Sequence, residues 1–153
     1  MSYFLVQMSE KGAEKLWQKG IYKHRNWRKS ERHKDRGKVE TGDLLIIYFT
    51  THVDEHPGRI KSVYRVIGDS ENHELFELEK EKELDKPLYL PYLDQVMEKN
   101  LLSEKFENCG SQGFNIVEIA EEDYETILSE GEERSLPFNK NELPKWFLRD
   151  DER

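Results

Sequence analysis

The alternation of apolar and polar residues in the first half of the chain predicts short strands separated by turns. One segment, 44–50, is almost continuously apolar, which is typical of a strand that is buried on both faces. Ser9 is a good N-cap for a helix whose apolar residues recur on one face until Gly20 ends it. The turn that precedes the apolar segment contains Gly42. The predicted strands are 3–8, 44–50, 60–67 and 73–79.

The second half of the chain predicts two helices and one more strand. Pro91 suits the first turn of a helix that ends near Asn100. A closing strand follows over 114–119, and after it a helix opens with acidic residues at its positive end. The charged segment 80–86 is predicted to be a loop.

Together these elements predict an α+β domain. Five to six strands alternate irregularly with two or three helices, which suggests a small curved or partly closed β-barrel with flanking helices. At 153 residues the chain is long enough for one domain with a core of its own. We expect this domain to span 1–128 and a linker or C-terminal tail to occupy 129–153.

Several features of the sequence indicate where in the cell the protein acts. No segment approaches the roughly 20 apolar residues that a membrane-spanning helix needs, and the N-terminus lacks the features of a signal peptide. Cys109 is the only cysteine, so an internal disulfide is impossible. A reducing cytoplasm is therefore the expected location, with no membrane partner.

A short basic segment stands out from an otherwise acidic chain. Residues 19–38 contain nine Lys or Arg against Glu31 and Asp35, a local charge of +7 in a chain whose total is −8. The segment lacks apolar periodicity and is predicted to be a loop with at most a short helical turn. Tyr22 and Trp27 lie within it. Aromatic residues among cations suit stacking on bases together with pairing to phosphates. Nucleic acid is therefore the first ligand that the sequence predicts.

Several short motifs follow one another in a recognisable order. The strand 3–6 is followed by a helix, by Arg25-Asn26-Trp27, and by a Gly-Asp pair that leads into Tyr48-Phe49-Thr50. Near the end, 112–127 joins a strand to a helix that begins with acidic residues. In this order the motifs resemble the EVE domain of the PUA-like superfamily, a relative of YTH and ASCH domains. The resemblance covers nearly all of the predicted domain.

The resemblance implies a small β-barrel that holds a modified, flipped-out base in an aromatic-lined pocket. Such domains often serve as readers in modification-dependent restriction systems, so an effector domain or subunit, a nuclease or a motor, is an implied partner. Two positions depart from the family pattern. Phe49-Thr50 stands where the family has His-Ser, and the family's tryptophan before Arg-Asn is absent.

The proposed chemistry assigns three roles to side chains. Flipping a base out of a duplex costs a few kcal/mol, and stacking on an aromatic ring returns about 1–3 kcal/mol. Short polar side chains read the base edge, and Arg and Lys hold phosphates. The predicted base-binding residues are Tyr22, Asn26, Trp27, Tyr48, Thr50, Ser62 and Tyr64, and the predicted phosphate-binding residues are Arg25, Arg28, Lys29, Arg32, Lys34 and Arg59.

The predicted function is non-catalytic binding of nucleic acid with a modified base, with DNA preferred and RNA second. Two other classes stay open: an ASCH-like enzyme acting on a nucleoside or RNA, with Lys61 as its catalyst, and a module whose acidic face docks a protein. Tyr48 has the equally good alternative of being a core residue. No cofactor motif is present, and the His52 and His56 pair falls on a predicted loop, so neither a cofactor nor a metal is expected.

Overall fold

Six strands form one sheet in the part of the chain that the computed structural model describes. That part comprises residues 1–8, 21–23, 38–50, 58–69, 75–110, 116–132 and 141, and only the backbone is described at 8, 21–23, 69 and 75–76. In chain order the elements are β1 (Tyr3–Met8), β2 (Ile21–Lys23), β3 (Leu44–Phe49), β4 (Arg59–Asp69), β5 (Leu75–Tyr89), α1 (Leu90–Glu98), a 3-10 helix (Glu104–Phe106), β6 (Ile116–Ile119) and α2 (Glu121–Glu132).

The sheet is mixed and open. Its strand order is β2-β5-β4-β3-β1-β6, with β1 parallel to β3 and the other neighbouring pairs antiparallel. Strands β2 and β6 lie at the two edges of the described sheet, so the barrel is not closed. The predicted α+β fold with flanking helices is confirmed, and its sheet is of the open kind.

Strand β3 divides the core into two clusters because successive side chains of a strand point to opposite faces. Leu44, Ile46 and Tyr48 pack with residues of both helices on what we call the helical face. Leu45, Ile47 and Phe49 pack with residues of β1 and β4 on what we call the opposite face. All six side chains are buried, which confirms the prediction of a strand buried on both faces.

Two segments predicted to be loops are strands. Residues 80–86 continue β5, which is 15 residues long and pairs with β4 along most of its length. Ile21–Lys23, within the basic segment, pairs with the start of β5 as β2. In both places pairing with a neighbouring strand outweighs the weak local preference of charged residues for strands.

Helix α2 continues past the predicted domain boundary at 128. It ends at Glu132, and Glu130 is only 3% exposed and accepts a hydrogen bond from the Tyr92 hydroxyl of α1. Glu130 and Gly131 are buried, so α2 continues four residues past the predicted boundary with part of that extension packed. Of the described helices, none combines the length and the apolar character that crossing a membrane requires.

Asp43 joins the start of the chain to the turn before β3. Its Oδ1 accepts a hydrogen bond of 2.8 Å from the backbone N–H of Ser2, and its Oδ2 accepts one of 2.8 Å from that of Glu40. The side chain is buried, and Gly42 adopts a φ of +100°, which favours glycine. This turn determines where β3 enters the sheet beside β1.

We expect Asp43→Ala to lower the free energy of unfolding by about 2 kcal/mol, because two partly buried backbone donors lose a charged acceptor. Asp43→Asn retains one acceptor oxygen, so it should lower the free energy of unfolding by about half as much. Chemical denaturation measures both. Asp85→Ala, an exposed position on β5, is the matched control, and equal stability of the two alanine variants would contradict the role of Asp43.

Candidate nucleic-acid interface

Tyr48 lies in the interior of the helical face. It is fully buried, and its hydroxyl has no hydrogen-bond partner among the described residues. Burial raises the pKa of the phenol, and Cys109 and Asp94 raise it further. A Cβ built on Gly58 would lie 1.8 Å from the Tyr48 hydroxyl oxygen, so the backbone there packs directly against the phenol. Tyr48 is therefore a packed core residue.

Tyr64 and Ser62 lie on the opposite face. Tyr64 is in register with Leu45 of β3, Ser62 is in register with Ile47, and Tyr64 packs against the cluster of that face. Tyr64 is half-buried, whereas Ser62 is only 1% exposed and shares a side-chain hydrogen bond with Tyr64. Burial raises the pKa of the Tyr64 phenol, against the lowering effect of Lys80. The phenol is therefore protonated at neutral pH and can donate a hydrogen bond.

The structure corrects the prediction of a single pocket that contains both tyrosines. Tyr48 is in register with Ile60 and belongs to the helical face, whereas Tyr64 belongs to the opposite face. The sheet itself separates the two rings, so one base cannot stack on both. Of the two, only Tyr64 is partly accessible, which makes its face the candidate site.

Lys61 lies where β4 is irregular against both of its neighbours. In the pairing with β3, the consecutive residues Ile47 and Tyr48 are in register with Ser62 and Ile60, so Lys61 is the extra residue on β4. In the pairing with β5, the register passes from Ile60 opposite Leu88 to Ser62 opposite Glu83. This irregularity is a β-bulge, a feature that re-aims side chains and is over-represented beside active sites. The Lys61 ammonium lies 5.2 Å from the centroid of the Phe49 ring, within the range of a cation–π interaction. Lys61 is therefore on the opposite face with Tyr64.

Lys80 of β5 completes this patch. It is in register with Tyr64, and its Nζ lies 3.2 Å from Oε2 of Glu83. We call Lys61, Ser62, Tyr64 and Lys80 the Tyr64 surface. It combines an aromatic ring, a phenol hydroxyl bonded to the buried Ser62, and two ammonium groups, that of Lys80 being paired with Glu83. It can therefore stack on a base, form a hydrogen bond with its edge and attract a phosphate.

The other predicted site residues fall into three groups. Thr50 directly follows β3 and is half-buried, whereas Arg59 begins β4 and is only 6% exposed. Tyr22 lies in β2, in register with Phe76. The base-binding role of Thr50 and Tyr22 and the phosphate-binding role of Arg59 stay predictions. Outside the described residues lie Arg25, Asn26, Trp27, Arg28, Lys29, Arg32 and Lys34.

Cys109 is buried in the cluster of the helical face. Burial raises the pKa of the Cys109 thiol to about 12, and Asp94 contributes to the increase. The thiol is therefore neutral at physiological pH and a poor nucleophile. Within the described ranges, no group of three or more His, Cys, Asp or Glu is arranged to hold a metal ion. His52 and His56 lie outside those ranges.

Sequence reasoning missed Lys80 as a member of a binding surface and named Lys61 only as the catalyst of the enzyme alternative. Lys80 falls in the predicted loop. Ile60 and Val63 belong to the helical face, whereas Ser62 and Lys61 lie on the opposite face, so strict alternation along β4 fails here. The residue types alone do not indicate such a bulge.

Comparison with known proteins supports the fold. No protein-family model matches the sequence, and no curated protein matches it significantly. The chain is similar in structure to the DUF55 domain of human thymocyte nuclear protein 1, with a TM-score of 0.60 and 13% identity over 86% of this chain and 99% of that one. It is also similar to human THYN1 protein in complex with DNA that contains 5-methylcytosine, with a TM-score of 0.61 and 12% identity over 87% of this chain and 99% of that one.

A third solved structure is more distant. The YTH domain of Mmi1 has a TM-score of 0.51 and 12% identity, over 84% of this chain and 86% of that chain. At such low identities these likenesses establish the fold alone. They confirm that the fold predicted from the resemblance is the one shared with DUF55 and YTH domains.

Proposed function

We propose that this chain is a nucleic-acid reader that binds a modified base on the Tyr64 surface and does no chemistry on it. The preferred ligand is methylated DNA, and modified RNA is the second choice. The observation that carries the proposal is the Tyr64 surface itself, where a half-buried ring with a bonded hydroxyl stands among two lysines. The proposal is supported by the shared fold with human THYN1, which was captured with 5-methylcytosine DNA.

The chemistry of the surface suits a base that has left the duplex. Extrusion costs a few kcal/mol, and stacking on the Tyr64 ring would recover about 1–3 kcal/mol of it. The Tyr64 hydroxyl is hydrogen-bonded to Ser62 and protonated at neutral pH, and a hydroxyl of this kind can also pair with a polar group on the base edge. Lys61 and Lys80 add positive charge on the same face of an acidic protein.

The remaining elements of the proposal come from the sequence. The basic segment 19–38 would contribute further phosphate contacts and, through Tyr22 and Trp27, further stacking. We further propose that the protein acts in the cytoplasm and supplies recognition to an effector, a nuclease or a motor, that acts on the marked nucleic acid.

A fluorescence binding titration tests the proposal. The ligands are matched DNA strands and duplexes that are unmodified, contain 5-methylcytosine or contain N6-methyladenine, together with the corresponding RNA. We expect one methylated DNA to bind at least about tenfold more tightly than its unmodified counterpart, a difference of about 1.4 kcal/mol.

Two other results of this titration are decisive against the proposal. Equal, salt-sensitive binding to every ligand would mean a phosphate-binding patch without base recognition. Absence of binding to any nucleic acid would exclude a reader and favour the enzyme or the protein-docking alternative.

A further inference from the structure

A β-bulge places Lys61 on the same face as Tyr64. Ile60 and Val63 belong to the helical face, whereas Lys61 lies over Phe49 and Ser62 is in register with Ile47, so two consecutive residues of β4 share the opposite face. Bulges re-aim side chains and are over-represented beside active sites, so a lysine at this position beside Tyr64 points to a role in binding.

We infer that Lys61 binds a phosphate of the nucleic acid held on the Tyr64 surface. This inference rests on the proposed function, and it assigns the lysine a role that is separate from recognition of the base. Lys61 would anchor the strand beside the flipped nucleotide while Tyr64 stacks on the base.

The environment of Lys61 holds its side chain in place before the ligand arrives. Its ammonium lies over the Phe49 ring, which is only 4% exposed, whereas Lys61 is half-buried. A free lysine side chain has about 2 kcal/mol of rotamer entropy to lose on binding. Contact with a fixed aromatic ring removes part of that loss in advance, so an ion contact here is more favourable than one made by a solvated lysine.

A phosphate fits this ammonium better than a base carbonyl does. Lysine presents a compact, strongly hydrated point charge that typically binds phosphate. Lys80 lies on the same face, and the whole chain carries −8, so local cations must provide the attraction for a polyanion. A phosphate contact also has a distinct signature, because neutralising a phosphate releases counterions and makes affinity depend on salt.

The experiment compares Lys61→Met with the wild-type protein across a salt series. Methionine keeps the unbranched stem and removes the charge. With the DNA that the wild type prefers, we expect about 3- to 10-fold weaker binding at low salt and a slope of log affinity against log salt that is smaller by about 0.7–0.9, the value for one phosphate. The loss should be the same for modified and unmodified DNA, because phosphate contacts carry no base information.

Two further variants provide the controls. Lys61→Arg keeps the charge and should retain most of the affinity and the wild-type slope. Lys99→Met removes an exposed charge at the end of α1, on the helical side of the sheet, and should leave both quantities unchanged. Thermal unfolding shows whether each variant is folded. If Lys61→Met does not fold, the affinity and salt slope of Lys61→Gln test the phosphate contact in its place.

The outcomes separate this inference from the proposed function. If the wild type selects modified DNA but Lys61→Met leaves the slope of log affinity against log salt unchanged, the inferred phosphate contact is wrong, whereas the proposed reader function is retained. A loss confined to modified DNA without a change of slope would mean that Lys61 contacts the base, which also overturns the inference. If the wild type binds no nucleic acid, both fail together.

Discussion

Replacing Gly58 with alanine is expected to destabilise the protein by about 3 kcal/mol or more. The added Cβ would lie 1.8 Å from the hydroxyl oxygen of Tyr48 and 2.5 Å from its Cζ, distances far below van der Waals contact. Overpacking of a core typically costs about 1–3 kcal/mol and occasionally more. Tyr48 is fully buried and surrounded by the helical-face cluster, so its ring cannot move aside cheaply. We therefore expect a value at or above the upper end of that range.

The Tyr48 hydroxyl allows the cause of this loss to be tested. Tyr48→Phe removes an oxygen that has no hydrogen-bond partner among the described residues, so alone it should be neutral or stabilising by up to about 1 kcal/mol. In the double variant with Gly58→Ala the 1.8 Å contact disappears but the 2.5 Å contact with Cζ stays. Part of the loss should therefore be recovered, with a coupling energy of about 1 kcal/mol or more in the double-mutant cycle.

Gly68→Ala is the matched control for chemical denaturation of these variants. Its Cβ would meet the exposed Glu77 side chain at 3.0 Å, where a flexible carboxylate can move away. If Gly58→Ala cost no more than Gly68→Ala, the packing of Tyr48 against Gly58 would be wrong. Tyr48→Phe should also bind nucleic acid as the wild type does, since Tyr48 lies on the helical face.

The parts of the fold that the sequence predicts well are those with strong local signals. The apolar segment at β3 indicates burial on both faces, and all six of its residues are buried. Pro91 lies in the first turn of α1, and three acidic residues lie in the first turn of α2, as the rules for helix starts predict. Each of these signals depends only on residues that are neighbours in the chain.

The errors arise where distant pairing decides the structure. Residues 80–86 alternate Lys and Glu almost throughout, and nothing local indicates that β4 will hold them as a strand. The same reasoning applies to the candidate site. Tyr48 and Tyr64 are correctly predicted to lie in neighbouring strands, but the face that each occupies depends on register, and a one-residue shift reverses it. The β-bulge at Lys61 is such a shift, and because of it Lys61 and Ser62 lie on the same face although they are consecutive residues.

Tyr64→Ala is expected to weaken binding of the preferred modified DNA by about 2–3 kcal/mol, or roughly 30- to 150-fold. The variant loses the ring on which the base would stack and the hydroxyl that would pair with its edge. Tyr64→Phe loses only the hydroxyl and should weaken binding by about 0.5–1.5 kcal/mol, or roughly 2- to 13-fold. Titrations with modified and unmodified DNA measure both variants, and the loss should be larger for the modified ligand.

Tyr124→Ala provides a control of equal size on the other side of the sheet. Its ring lies 4.7 Å from that of Tyr3 and packs against the helical-face cluster, so the variant removes as much aromatic surface without touching the Tyr64 surface. We expect it to bind both ligands as the wild type does. An equal loss of affinity in Tyr124→Ala and Tyr64→Ala would indicate general destabilisation. A loss in Tyr64→Ala that is the same for modified and unmodified DNA would mean that Tyr64 supports the surface without reading the base.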